Sequence, residues 1–285
     1  MDITRIEDAK VVLNDITSKT PIVHATKIHD NLWIKAENLQ GTGAFKLRGA
    51  YYKLSKLSEE EKAKGVIAAS AGNHAQGVAY ACMKMGIKGT IVMPKTAPLS
   101  KIEATRSYGV DVELQGDTFN DAYAYAKNLQ EITGAVFIEP FNDEDVMAGQ
   151  GTIGLEILER MPDADTVIVP IGGGGLISGI ACAIKSLKPD CRVIGVQAEN
   201  APSMKKSLEE NKMITLDSVS TIADGIAVKT PGDLTYAMCQ KYVDEVVTVS
   251  EEEIAAAILV LLEKSENGSR RCWGNKCCGS YVWGK

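Results

Sequence analysis

Three stretches of the chain place reactive or ligand-binding residue types where a helix is about to begin. The first reads Glu37-Asn38-Leu39-Gln40-Gly41-Thr42-Gly43-Ala44-Phe45-Lys46-Leu47-Arg48-Gly49-Ala50 and follows the apolar residues 32–36. Its glycines and Thr42 make a turn, and Lys46 falls at the start of the next helix. The positive end of a helix dipole, like any desolvation, favours the neutral form of an amine. A neutral amine is what Schiff-base chemistry requires. The same spacing also suits a solvated surface lysine. The second stretch is Ala69-Ser70-Ala71-Gly72-Asn73-His74-Ala75-Gln76-Gly77, between an apolar strand and a helix. Small residues let a ligand approach the backbone there, and the free N–H groups of a helix start suit a carboxylate. Ser70 could meet that carboxylate and Asn73 a planar ring substituent. Alone, the stretch also fits a helix cap, and His74 a structural histidine. The third is Gly172-Gly173-Gly174-Gly175-Leu176, after the apolar residues 166–170. Each glycine costs about 0.5–1 kcal/mol of extra chain entropy, so four in a row call for a use. Backbone amides converging on a phosphate supply one, aided by the dipole of the following helix. The run fits neither G-x-G-x-x-G nor G-x-x-x-x-G-K-[ST], which excludes a dinucleotide fingerprint and a P-loop.

The elements that must position these residues alternate. Apolar runs NLWIKAE, VIAAS, GTIVMP, VDVEL, AVFIEP, TVIVPIG, CRVIGVQ and VDEVVTV recur between stretches with helical periodicity at 73–85, 99–108, 118–133, 145–160, 176–187 and 251–264. That alternation predicts parallel sheets covered by mostly amphipathic helices. Residues 47–145 hold strand–helix units of their own, and the flanking segments pair with one another. The expectation is two interwoven α/β domains with a cleft between them: a large one from 1–46 and 146–264 and a small, mobile one from 47–145. Composition is that of a globular enzyme, with 45% hydrophobic and 24% charged residues. The 26 glycines exceed average usage and direct attention to turns. A net charge of −6 offers no basic field for nucleic acid, and no apolar run is long enough for a membrane span. The N-terminus lacks a secretory pattern, which points to the cytoplasm. Cys82, Cys182, Cys191 and Cys239 stand singly among apolar neighbours, as reduced buried thiols do.

Taken together, T-G-A-F-K-L-R-G-A, S-A-G-N-H-A-Q-G, G-G-G-G-L, Gly195-Val196-Gln197-Ala198-Glu199 and Thr221-Ile222-Ala223-Asp224-Gly225-Ile226-Ala227-Val228 resemble, in order and spacing, the threonine/serine dehydratases among the fold-type II pyridoxal-phosphate enzymes. The resemblance spans residues 5–264. It implies the tryptophan synthase β-like architecture and pyridoxal 5'-phosphate as cofactor. It makes Lys46 the Schiff-base and catalytic lysine, lays Phe45 against the ring, sets Asn73 on the ring hydroxyl, and binds the phosphate with Gly172, Gly173, Gly174, Gly175 and Leu176. Ser70, Ala71, Gly72, Asn73 and His74 become the loop that closes on a substrate carboxylate. The implied reaction is β-elimination of L-threonine, with L-serine as a second substrate, in isoleucine biosynthesis or threonine catabolism, by a homo-oligomer. Two departures bear on the alternatives, a serine racemase-like or a β-replacing enzyme of the same fold. Where racemases carry a serine that acts as the opposite-face base, this chain has Ala71, which cannot move a proton. Where some relatives hold a metal with a glutamate and an aspartate six residues on, this chain has Glu199 and Lys205, so no metal is expected.

After Lys264 the composition changes. Residues 265–285 hold three of the seven cysteines and two of the three tryptophans. The family would continue with a buried strand and a turn resembling V-V-E-G-A-G-A. Permitted codons for residues 266–278 can be written so that reading one base later yields K-M-V-V-E-G-A-G-A-T-S-A-A. Residues 265–285 are therefore expected to be an out-of-frame tail on a C-terminally truncated family member. The last family strands, and a serine or cysteine facing the pyridine nitrogen, would then be lost and the product inactive.

Overall fold

The computed structural model describes residues 1–264 and 280–284. The chain opens with α1 (Ile3–Leu13), an antiparallel pair β1 (Ile22–His24) and β2 (Leu32–Lys35), then α2 (Lys46–Ser55) and α3 (Glu59–Lys64). A strand–helix series follows: β3 (Val66–Ala69), α4 (Asn73–Met85), β4 (Gly89–Met93), α5 (Leu99–Arg106), β5 (Asp111–Leu114), α6 (Phe119–Thr133) and β6 (Val136–Phe137). The second half runs α7 (Glu144–Arg160), β7 (Ala164–Pro170), α8 (Gly175–Leu187), β8 (Arg192–Ala198), α9 (Ser203–Glu209), α10 (Asp233–Tyr242), β9 (Glu245–Val249), α11 (Glu251–Lys264) and β10 (Ser280–Gly284). All eight apolar runs named from the sequence form strands.

The strands make two sheets. The smaller, ordered β5-β4-β3-β6, is parallel throughout. Its β3 is buried at all four positions, as a strand covered on both faces must be, which is why VIAA reads as an unbroken apolar run. The larger is ordered β1-β2-β10-β7-β8-β9. Here β7, β8 and β9 are parallel, but the β1–β2 pair and β10 run antiparallel to their neighbours, so this sheet is mixed where a parallel one was expected. Of the tail, residues 265–279 and 285 lie outside the described residues, and with them most of the out-of-frame reading. Residues 280–284 form a strand between β2 and β7, within the stretch expected to contribute none.

Separate apolar clusters serve the two sheets. One joins β3 and β4 to α4 and takes Ala50 and Leu54 from α2; another joins β7 and β8 to α8. A third packs α1 against α7 and α8 and takes Tyr52 from the opposite side of α2. Helix α2 therefore splices the two halves, and it starts at Lys46. The glycine excess is explained as much by helix crossings as by turns. A methyl on Gly149 of α7 would lie 2.6 Å from Gly49 Cα of α2, and one on Gly179 of α8 would lie 2.2 Å from Met147 O and 2.6 Å from Gly151 N of α7. Side chains would hold these axes apart. Accordingly α7 is buried without a break from Val146 to Leu155 rather than amphipathic, and Arg48, Gln150 and Thr152 are buried with it. The four singly placed cysteines are free and buried, as expected.

Candidate active site

Lys46 is the first residue of α2, after Phe45 in the cap position, and both are half-buried. Its Nζ donates to the carbonyl of Pro140 and lies 5.5 Å from the Phe45 ring centroid. What fixes this helix start is two residues further on. Arg48 is fully buried and grips two carboxylates. Its Nε and Nη2 donate to Glu37 Oε2 and Oε1 at 2.8 and 2.9 Å, and its Nη1 and Nη2 to Glu156 Oε1 and Oε2 at 2.6 and 3.1 Å. Lys35 joins from β2, donating to Glu156 Oε2 and Thr20 O at 2.6 Å each, and Thr152 accepts from Arg48 at 3.1 Å. Burial pushes the Glu37 carboxyl up, but Arg48, with help from Lys35 and Thr20, outweighs it and holds Glu37 below the usual carboxylate range. Burial likewise opposes charge on Arg48, and Glu37 and Glu156 more than reverse it. An ion cluster of this kind is geometrically demanding, because each member is costly to bury alone.

The second stretch lies beside the first. A methyl on Gly77 of α4 would sit 3.0–3.1 Å from the Lys46 carbonyl and Leu47 nitrogen, so this glycine sets the approach of α4 to α2. Ser70, Ala71, Gly72 and Asn73 are half-exposed, and nothing lies within 4 Å of where a Gly72 Cβ would point, so ligand has access there. The Ser70 hydroxyl turns back to accept from Gly72 N–H at 3.1 Å. His74 behaves differently. Its ring is buried, and Nε2 donates to Ile138 O at 2.9 Å, which fixes the tautomer and leaves Nδ1 as a buried acceptor without a hydrogen-bond partner. Burial first, and the nearby Lys46 second, drive its pKa down to about 3 against the bond to Ile138. The ring is held neutral in the interior, so what His74 can offer a ligand is backbone.

The glycine run follows β7 and opens α8. Gly174 caps that helix at φ +97°, in the left-handed region glycine tolerates, and no side chain caps the end. The first amide of α8 bonded back along the chain is that of Ser178, to Gly174 O at 3.0 Å. The preceding amides are the unpartnered donors every helix N-terminus carries. Side chains could not replace these glycines. A methyl at Gly173 would lie 2.4 Å from the Phe141 ring, one at Gly175 2.8 Å from Phe141 Cβ, and one at Gly174 2.8 Å from Thr235 Cβ.

One segment that the sequence reading passed over as the end of a strand joins the three stretches. Residues 138–142 leave β6 and stop at Asp143, which caps α7 by accepting from Asp145 and Val146 N–H. Within it Ile138 holds His74, Pro140 holds Lys46, Phe141 walls the glycine run, and Asn142 accepts from Leu234 N–H at 3.0 Å while donating to Asp233 at 2.7 Å. Lys46 and the glycine run thus meet adjacent residues of a single strand end, Pro140 through a hydrogen bond and Phe141 through packing. Among the described residues no cluster of side chains could hold a metal ion, and no helix is long and apolar enough to cross a membrane.

Comparison with known proteins gives the family. Residues 13–267 match the family model described as "Pyridoxal-phosphate dependent enzyme". The chain is 55% identical over 265 residues to an L-threonine ammonia-lyase of Thermotoga maritima, covering 92% of this chain and 66% of that one, just under two thirds of its length. It is 50% identical over 254 residues to the L-threonine dehydratase catabolic TdcB of Escherichia coli, covering 89% and 77%. Among solved structures, the processed threonine deaminase isoform 2 of Solanum lycopersicum superposes with a TM-score of 0.90 at 42% identity, over 95% of this chain and 78% of that one. Maize serine racemase gives 0.89 at 39%, over 92% and 80%.

Proposed function

The chain belongs to the pyridoxal-phosphate-dependent enzyme family, and from that premise we propose that it converts L-threonine to 2-oxobutanoate and ammonia by β-elimination of water followed by hydrolysis, with L-serine giving pyruvate and ammonia. The observation that carries this reading is the convergence of Lys46 and the glycine run on residues 140 and 141. The residues present fit the cofactor: an amine at one end, and at the other a glycine run opening a helix, packed so closely on Phe141 and Thr235 that side chains are excluded and backbone amides face a phosphate. Lys46 would hold it covalently, Phe45 would lie against its ring, Asn73 would meet the ring hydroxyl, and Gly172, Gly173, Gly174, Gly175 and Leu176 would take the phosphate. When bound, the group supplies an electron sink for the charge left on Cα.

The protein's own work is to bind, orient and move protons. The loop of Ser70, Ala71, Gly72, Asn73 and His74 offers backbone amides and the Ser70 hydroxyl to the substrate carboxylate. With the cofactor and substrate bound, the free Lys46 amine would remove the Cα proton as general base. The β-hydroxyl then departs as water, and hydrolysis of the remaining enamine releases ammonia and the 2-oxo acid. Proton delivery from one face alone favours elimination over racemisation, because Ala71 offers only a methyl where an opposite-face base would have to stand. The 55% and 50% identical relatives bear the threonine names, which also supports the dehydratase reading over the racemase. The proposal extends to a cytoplasmic homo-oligomer with two units, 1–46 with 146–264 and 47–145, serving isoleucine biosynthesis or threonine catabolism.

The test is spectroscopic and chemical. Pyridoxal phosphate added to the purified chain should produce the visible absorbance of a lysine-bound cofactor, and L-threonine should then yield 2-oxo acid; absence of both would favour instead the inactive truncated product expected from residues 265–285. Lys46→Ala should abolish both. Persistence of either in the variant removes Lys46 from its role, and D-allothreonine from L-threonine, or D-serine from L-serine, without 2-oxo acid would favour the racemase.

A further inference from the structure

The glycine run is shaped from behind by a residue outside every motif discussed so far. Thr235 lies in the first turn of α10 and is completely buried. Its Oγ1 is 2.6 Å from Gly173 O and 3.1 Å from Gly232 O, and it accepts from Gly232 N–H at 3.0 Å. A hydroxyl has one proton to give, and the shorter contact directs it to Gly173 O. The same side chain blocks the Cβ position of Gly174, 2.8 Å from its own Cβ and 2.9 Å from Oγ1. In a trans peptide the carbonyl of one residue and the N–H of the next point to opposite sides. A hydroxyl that fastens the Gly173 oxygen toward α10 therefore turns the Gly174 N–H away from α10, toward the open side at the start of α8. Without that anchor, a peptide flanked by two glycines has several rotations of comparable energy. The turn that carries Thr235 is itself clamped, since Asn142 bonds both Asp233 and Leu234, and a methyl on Gly232 would lie 2.2 Å from Asn142 Oδ1.

We propose that Thr235 is a positioning residue for phosphate recognition: it touches no ligand, but by holding the Gly173 carbonyl it presets the Gly174 amide as a donor to the phosphate of the cofactor. The inference rests on the reading of residues 172–176 as a phosphate cradle. Its consequence is confined to the phosphate end, because the Thr235 hydroxyl is engaged with Gly173 and Gly232.

The experiment measures dissociation constants for pyridoxal 5'-phosphate and for pyridoxal, which lacks the phosphate, by absorbance titration of the full chain and of Thr235→Val and Thr235→Ser. The native chain should prefer the phosphorylated ligand strongly. Thr235→Val, nearly the same shape without the hydroxyl, should weaken pyridoxal phosphate by tenfold or more and leave pyridoxal within twofold, while Thr235→Ser keeps the native ratio. Because partial unfolding lowers both affinities together, the ratio of the two is the readout. If Thr235→Val does not fold, Thr235→Ala is measured in its place against the same ratio. An unchanged ratio in the hydroxyl-free variant, or an equal loss of both ligands, overturns the role of Thr235. A native chain that does not distinguish the two ligands overturns the phosphate cradle itself, and the proposal with it.

Discussion

The two ends of the candidate site are held by opposite kinds of chemistry. Behind Lys46 stands a cluster of four charges, the buried Lys35, Glu37 and Arg48 and the partly buried Glu156, drawn from β2, the turn after it, α2 and α7. Behind the glycine run stand a phenyl ring and a threonine hydroxyl, with the Asn142 carboxamide holding the turn that carries the threonine. The difference follows from what each end must do. A reactive amine needs its helix fixed in direction, and a bidentate guanidinium fixes direction strongly. An anion-binding loop needs its amides undisturbed, and a fixed carboxylate or ammonium behind it would compete for them or for the anion.

This contrast can be broken experimentally, most severely at the charged end. Arg48→Met leaves Glu37 and Glu156 facing each other with Lys35 as their remaining buried cation, and is expected to cost about 3–5 kcal/mol of stability. Urea denaturation measures it, and a loss below about 1 kcal/mol would mean that packing, not charge, secures α2. At the neutral end Gly173→Ala drives a methyl into Phe141. It should cost about 1–3 kcal/mol as overpacking does, and should weaken pyridoxal phosphate binding. The double variant Gly173→Ala, Phe141→Leu should recover part of both, and no recovery would show that the clash lies elsewhere. The smallest effect belongs to His74, which is neutral beside Lys46. Its pKa is about 3 when folded and about 6.5 when unfolded. As pH falls below about 6.5 the unfolded chain takes up a proton that the folded chain refuses until near 3. Stability present above pH 6.5 is therefore lost at up to about 1.4 kcal/mol per pH unit on the way down. Denaturation at pH 6.5 and 5.5 should show that slope in the native chain and a flatter one in His74→Gln. Equal slopes would place the titration on other groups.

Much of this was legible in the sequence because the relevant physics is local. The apolar runs of β3, β7 and β8 announce buried parallel strands, and Lys46, Asn73 and Gly175 each open a helix because a glycine-containing turn precedes it. What escaped is non-local or carried by backbone. Arg48, two residues from Lys46, reads as a surface charge until Glu156, 108 positions away, is folded beside it. Pro140 and Ile138 act through carbonyl oxygens, which every residue has, so no residue type marks them. Thr235 looks like an ordinary helix-start threonine, and only the fold brings Gly173 to it. The glycines of α7 and α8 were visible but carried no signal of their own, since two helix axes must be placed before a missing side chain means close approach.

The strand end at residues 138–142 also has a mechanical meaning. It continues directly from β6, the edge strand of the smaller sheet, and its carbonyls and side chains are fastened to Lys46, to the glycine run and to the start of α10. A tilt of the smaller sheet would pull on the amine and on the loop through one short lever. By reciprocity, a ligand that stiffened either of them would hold that sheet in place.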